Sequence, residues 1–164
     1  MQDSVKEADA HNEISHGMVD EADEFEYEYY DEEGEDASVS CIPKALLLFN
    51  PVFDNGPNGF KHKLVQPYWR EISPIDHIDD KAPPTFVALG TEDVYVSVAT
   101  AKRYERLMKE NGRRCDLHIY EGKKHGWYNL WVSRDDMAEA LIRMDRFLTS
   151  LGYLKGEPVL ELKE

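Results

Sequence analysis

Two residues of this 164-residue chain combine a side chain suited to proton transfer with a suitable local setting: Asp93 in Gly90-Thr91-Glu92-Asp93, and His125 in Lys123-Lys124-His125-Gly126-Trp127. Each follows a short run that reads as a strand, and in open parallel sheets functional groups collect in the loops beyond the carboxyl ends of the strands. A carboxylate and an imidazole at the same end of neighbouring strands can meet. The carboxylate then fixes the imidazole tautomer and stabilises the imidazolium formed when the ring takes a proton. Taken singly, each residue also has a plainer reading, Asp93 as a cap for the helix that begins near Ser97 and His125 as a solvated loop histidine. The other histidines (His11, His16, His62, His77 and His118) show no i, i+4 or HExxH arrangement, so no metal site is expected. Cys41 and Cys115 are too few for a disulfide framework and lack CxxC spacing, which removes structural zinc and a thioredoxin-like motif.

The elements that would have to position this pair are marked by regular punctuation. Ala45 to Phe49 (ALLLF), ended by Asn50-Pro51, and Thr85 to Leu89 (TFVAL), entered through Pro83-Pro84 and ended by Gly90, are continuous apolar runs of the kind found inside parallel sheets. Cys115 to Tyr120 alternates apolar and polar residues, as a half-exposed edge strand does. Between the second and third runs, Val98, Ala101, Tyr104, Leu107 and Met108 recur at helical spacing from Ser97 as N-cap to a stop at Gly112. A last helix opens with Ser133 and Asp136, an approximate capping box. It carries Met137, Ala140, Leu141, Met144, Phe147, Leu148 and Leu151 on one stripe before Gly152. Asp54 to Asp80, rich in Gly, Pro and aromatics, reads as an excursion over the strand ends with one short helix around Lys63 to Arg70. Within Asn50 to Phe60, Asn, Gly and Pro read as turn chemistry, with pocket shaping as the alternative. Trp127, Tyr128 and Trp131 read as packing beside the His125 loop rather than as a sugar platform.

Charge divides the chain. Residues 1–36 hold 15 acids and one base, and residues 37–164 hold 18 of each, so the whole net charge of -14 lies before Ala37. Three parts follow: 1–36, an acidic and disordered tail; 37–154, a folded domain; and 155–164, a loose C-terminal end. In the first part Glu24 to Asp36 alternates acids with Phe25, Tyr27 and Tyr29. Like-charge repulsion opposes that pattern as a free strand, leaving a solvated tail or a segment that orders on a basic partner. The acidic balance argues against a phosphate-backbone binder, so no nucleic-acid partner is expected. No apolar run approaches the roughly 20 residues of a membrane span, and no signal peptide is visible, so as written the chain is expected in the cytoplasm and not at a membrane.

These segments together resemble the α/β-hydrolase family. The carriers are ALLLFNPVFDNGP, YWREISPIDHI, PPTFVALGTEDVYVSVATAKRYERLM and CDLHIYEGKKHGWYN, and the resemblance covers about residues 34 to 151. The pattern is similar to the esterase and lipase branch that includes acetylxylan-esterase-like and feruloyl-esterase-like enzymes, with prolyl-oligopeptidase-type peptidases further off. The resemblance implies the C-terminal portion of that α/β fold, with about three parallel strands and crossover helices. In that family the order is Ser, acid, His, with the acid after the penultimate core strand and the base after the last. It therefore implies Asp93 as triad acid and His125 as triad base, acting on a small-molecule or glycan ester such as an acetylated or feruloylated polysaccharide, without a cofactor.

One family feature is missing. The sequence contains no G-x-S-x-G elbow, and its nearest approach, Glu13-Ile14-Ser15-His16-Gly17, keeps only S-x-G in acidic surroundings with no apolar strand before it. Three expectations stand side by side: a serine esterase whose nucleophile lies elsewhere and whose full-length parent could be secreted; a prolyl-oligopeptidase-like peptidase fragment; and a non-enzymatic remnant or interaction module. A three-stranded sheet is thin, and Ala45 to Phe49 has no visible neighbour on one side. Self-association, or pairing with a missing N-terminal half, is expected there.

Overall fold

The computed structural model describes Ser38, Ser40 and residues 42–160; the acidic segment 1–36, Ser15 within it, and Cys41 lie outside the described residues. In chain order the elements are β1 (Leu46–Phe49), α1 (His62–Val65), α2 (Trp69–Ile72), a 3-10 turn (Pro74–Asp76), β2 (Thr85–Gly90), α3 (Val98–Glu110), β3 (Cys115–Tyr120) and α4 (Arg134–Ser150). The three strands form one parallel sheet in the order β1-β2-β3, with Leu46 opposite Thr85 and Thr85 opposite Cys115.

The central strand shows why a continuous apolar run is required. Every residue of β2 is buried, because alternate side chains enter two cores. Val87 and Leu89 join Phe53, Ala101, Tyr104 and Met108 under α3. Phe86 and Ala88 join Trp127, Ala140, Met144 and Phe147 under α4. The helices start where the sequence signalled: Ser97 accepts the Thr100 N–H at 3.0 Å, and Ser133 accepts the N–H of Asp136. Such caps satisfy amides that have no partner inside the helix, each worth about 1 kcal/mol.

The excursion departs from the single helix expected around Lys63 to Arg70. It contains two one-turn helices, α1 and α2, because Pro67 has no N–H to continue the ladder. Its anchor is the fully buried Ser73, whose hydroxyl donates to the Trp69 carbonyl at 2.6 Å and accepts the Asn55 N–H at 3.0 Å. Phe53 stacks on Tyr104 at 3.8 Å, fixing the start of the excursion to α3.

At the opposite edge β1 pairs only with β2 among the described residues. Beside it, Leu47, Leu141, Leu148, Leu154, Pro158 and Leu160 border an open apolar groove. The C-terminal residues read as loose thus line this groove as far as they are described.

Candidate active site

The two loops that follow β2 and β3 are bound to each other before any side-chain chemistry is considered. The Thr91 N–H donates to the Tyr120 carbonyl at 3.0 Å, the Glu92 N–H to the Lys123 carbonyl at 2.9 Å, and the Gly122 N–H to Thr91 Oγ1 at 2.8 Å. The approach is so close at Gly90 that a Cβ there would overlap the backbone carbonyl of Lys123. Glycine is therefore required by contact rather than by backbone angle.

On this platform Asp93 and His125, 32 residues apart in the chain, meet: His125 Nδ1 lies 2.9 Å from Asp93 Oδ2. The other carboxylate oxygen accepts the Tyr95 N–H at 2.8 Å and the Val96 N–H at 3.1 Å. Asp93 is thus no cap for α3, a part taken by Ser97; it ties its own turn together and holds the imidazole. Its side chain has no exposed surface, whereas the His125 side chain is 38% exposed. A buried carboxylate behind an accessible imidazole selects the tautomer with hydrogen on Nδ1, which leaves the Nε2 lone pair facing outward to take a proton.

The His125 loop is held from beneath and from the side. Trp127, 1% exposed, donates from Nε1 to Asn50 Oδ1 at 3.1 Å and stacks on Tyr120 at 4.1 Å. Asn50 ends β1 with a left-handed φ of 44°, so this bond ties the loop after β3 to the far strand of the sheet. At the other end of the loop Lys123 pairs with Asp136, which also hydrogen-bonds Ser133 at the start of α4. Lys123 first, and Ser133 second, hold the Asp136 carboxyl below its ordinary range.

The aromatic residues do not act as one group. Trp127 is core and Tyr128 packs on Phe49 at 4.7 Å, but Trp131 is 85% exposed, so the packing expected of all three fails for this one. Asn50 to Phe60 likewise does more than turn the chain. Val52, Phe53 and Phe60 line a cavity of about 200 Å³ together with Asp93, Tyr95 and Ser97. The sequence reading missed Tyr95, which touches His125, and Asn50, which holds Trp127; Asn immediately after an apolar strand was the available signal for the latter. Among the described residues no His, Cys, Asp and Glu cluster could hold a metal ion, and no helix is long and apolar enough to cross a membrane.

A parallel sheet covered by helices on both faces, with a carboxylate and a histidine after consecutive strands at one end, defines the α/β-hydrolase class. The profile of the prolyl oligopeptidase family matches residues 47–150, well over half of the sequence, and the chain belongs to that family of serine hydrolases. Acylamino-acid-releasing enzyme of Arabidopsis thaliana is 32% identical over 57 residues, 35% of this chain and 8% of that protein. Acylamino-acid-releasing enzyme 1 of Oryza sativa subsp. japonica is 33% identical over 58 residues, with the same coverage of 35% and 8%. Among solved structures, the apo form of Thermogutta terrifontis esterase 2 superposes with a TM-score of 0.69 at 30% identity, covering 77% of this chain and 49% of that one. The same esterase phosphonylated by sarin gives 0.69 at 28% identity, covering 77% and 51%. The chain therefore spans about half the length of the esterase it matches, and a small part of the curated relatives.

Proposed function

We propose that this chain carries the base and the orienting acid of a serine hydrolase that cleaves carboxylic esters, with the nucleophile supplied from outside the sequence given. The observation that carries the reading is the hydrogen bond between His125 Nδ1 and the buried carboxylate of Asp93. In this mechanism a serine hydroxyl attacks the ester carbonyl carbon and His125 Nε2 takes its proton. Asp93 stabilises the resulting imidazolium. As the tetrahedral intermediate collapses, the carbon–oxygen bond to the alcohol breaks and His125 returns the proton to the leaving oxygen. Water then enters by the same route and releases the acid. On this reading donors for the oxyanion are likewise supplied from outside the sequence given.

Esters are favoured over acylated peptides because the solved esterase superposes on 77% of this chain, whereas the acylamino-acid-releasing enzymes align over 57 or 58 residues; the prolyl oligopeptidase match over residues 47–150 keeps a peptidase as the alternative. Within esters, acetylated or feruloylated glycans are the class to try first.

A fluorophosphonate probe and an aryl acetate test the reading. The chain alone is expected to take no label and to hydrolyse the acetate no faster than free imidazole, with Ser15→Ala changing nothing. Joined to an upstream segment that contains a G-x-S-x-G strand-turn-helix, it should gain both label and turnover. His125→Ala should then remove about 10⁶-fold of the rate and Asp93→Asn about 10⁴-fold, as in serine protease triads. Full activity in the joined His125→Ala protein would overturn the assignment, and labelling of Ser15 in the lone chain would place the nucleophile within it.

A second reading, an interaction module with no turnover of its own, is favoured by one feature. Among the described residues β1 ends the sheet with an unpaired edge beside the apolar groove, and the neighbouring Asn50 leaves its buried Nδ2 without a partner. A buried donor left unpaired costs about 1–3 kcal/mol, which a docking segment could recover.

A further inference from the structure

A single hydrogen bond fixes the distance between His125 and Asp93 but leaves the imidazole free to rotate about the N–H···O direction. A second contact is needed to fix the plane of the ring, and Tyr95 provides one. Its ring lies 4.9 Å from that of His125 at an interplanar angle of 89°, an edge-to-face arrangement. The same residue donates its backbone N–H to Asp93 Oδ1 at 2.8 Å, so it touches both members of the pair, one through its ring and the other through its main chain. Behind it stands Phe60, again edge-to-face, at 5.5 Å and 82°. Phe60 is itself fixed: its N–H donates to the Asp54 carbonyl at 3.0 Å and its carbonyl accepts Asn55 Nδ2 at 3.0 Å. A row of three rings thus runs from the turn after β1 to the imidazole.

We propose that Tyr95 is a positioning residue, its ring backed by Phe60 and holding the His125 imidazole in the plane in which Nδ1 faces Asp93. This rests on the reading of His125 as the base. The amide contact belongs to the backbone and is kept by every residue except proline, so the ring is the part that the substitutions below remove. Tyr95 is about half exposed and its loss leaves the two buried cores intact. An aromatic pair of this geometry is worth about threefold to tenfold in population.

The test uses nitrogen-detected NMR of the ¹⁵N-labelled chain at a pH near 8, above the ordinary histidine range of about 6.5, where the two neutral tautomers have distinct shifts and no nucleophile is needed. The wild-type chain and Tyr95→Phe should show His125 with hydrogen on Nδ1. Tyr95→Ala should move the ratio about threefold to tenfold toward the Nε2–H form, and Phe60→Ala should move it the same way by less. Tyr95→Leu, which fills the space without an aromatic ring, should behave like the alanine variant and supplies the answer if that variant is unstable. Asp93→Asn sets the scale for complete loss. Leucine and alanine variants that keep the wild-type ratio would overturn the role of the ring while leaving the pair intact. A wild-type chain with no Nδ1–H preference would overturn the pair and the inference together.

Discussion

At Gly90 one missing methyl group decides whether the two functional loops can touch. Gly90→Ala must push Lys123 away, and the resulting strain is expected to cost about 1–3 kcal/mol, read from a urea melt. It should also weaken the contact between His125 and Asp93, visible as loss of the Nδ1–H signal even in molecules that remain folded. The sequence presented this glycine as the end of an apolar run; that it is required by a carbonyl 33 residues later was not legible, because close approach between loops leaves no local pattern. Asp93 and His125 were legible, since their types and their places after two strands are local facts. Tyr95 was not, because an exposed aromatic carries no sign of which ring it will meet. Cys115 offers a different check: burial pushes its thiol up to about 12, so it should resist alkylation in the folded chain and react, as mapped by peptide mass, only as fast as the sheet opens.

At the scale of elements, β3 shows what a period-2 pattern can and cannot convey. The alternation placed it at an edge, where it lies, but its polar side is not simply solvated. His118 stacks on Phe86 at 4.7 Å, and its Nδ1 accepts a hydrogen bond from Arg143 of α4 at 3.2 Å. Burial, followed by the Arg143 charge, pulls the His118 pKa below its ordinary value. The sign of the consequence is fixed by linkage. Below the free histidine value of about 6.5 the unfolded chain binds the proton before the folded one does, so stability is highest above that pH. It declines as the pH falls and levels off once folded His118 is also protonated. His118→Gln should flatten this slope in denaturant titrations repeated across the interval. Asp136 acts at lower pH: its depressed pKa contributes stability above the ordinary carboxylate range of about 3.9, lost as the pH falls through the folded-state value. Lys123→Ala should remove most of that contribution. The limits of β2, α3 and α4 were readable because cap residues and buried periodicity coincide there. The excursion was not, since Pro67 breaks a pattern whose contacts to Phe53 and Ser73 are tertiary.

For the molecule as a whole, the order β1-β2-β3 leaves β1 with one paired side among the described residues. The isolated chain is expected to self-associate through this edge and the adjacent groove, with sedimentation showing a mass that rises with concentration. Leu47→Lys should shift the balance toward monomer by placing a charge on both features. Salt should strengthen the association, because the net charge of -14, all of it in residues 1–36, makes copies of the chain repel and the Debye length shrinks from about 10 Å at 0.1 M to about 3 Å at 1 M. A monomer insensitive to both changes would remove the edge as an adhesive surface.

The buried indole that anchors the loop to Asn50 and the exposed one four residues later have an optical consequence. Trp127 is sealed against Tyr120, while Trp131 stands almost wholly in water, so the loop carrying His125 has two fluorophores in opposite surroundings. Acrylamide should quench Trp131 freely and Trp127 scarcely at all. A partner that covers the loop would protect the first; a loop that swings open would expose the second. With the remaining indole, Trp69, replaced by Phe, the emission of this chain distinguishes docking from opening without any added dye.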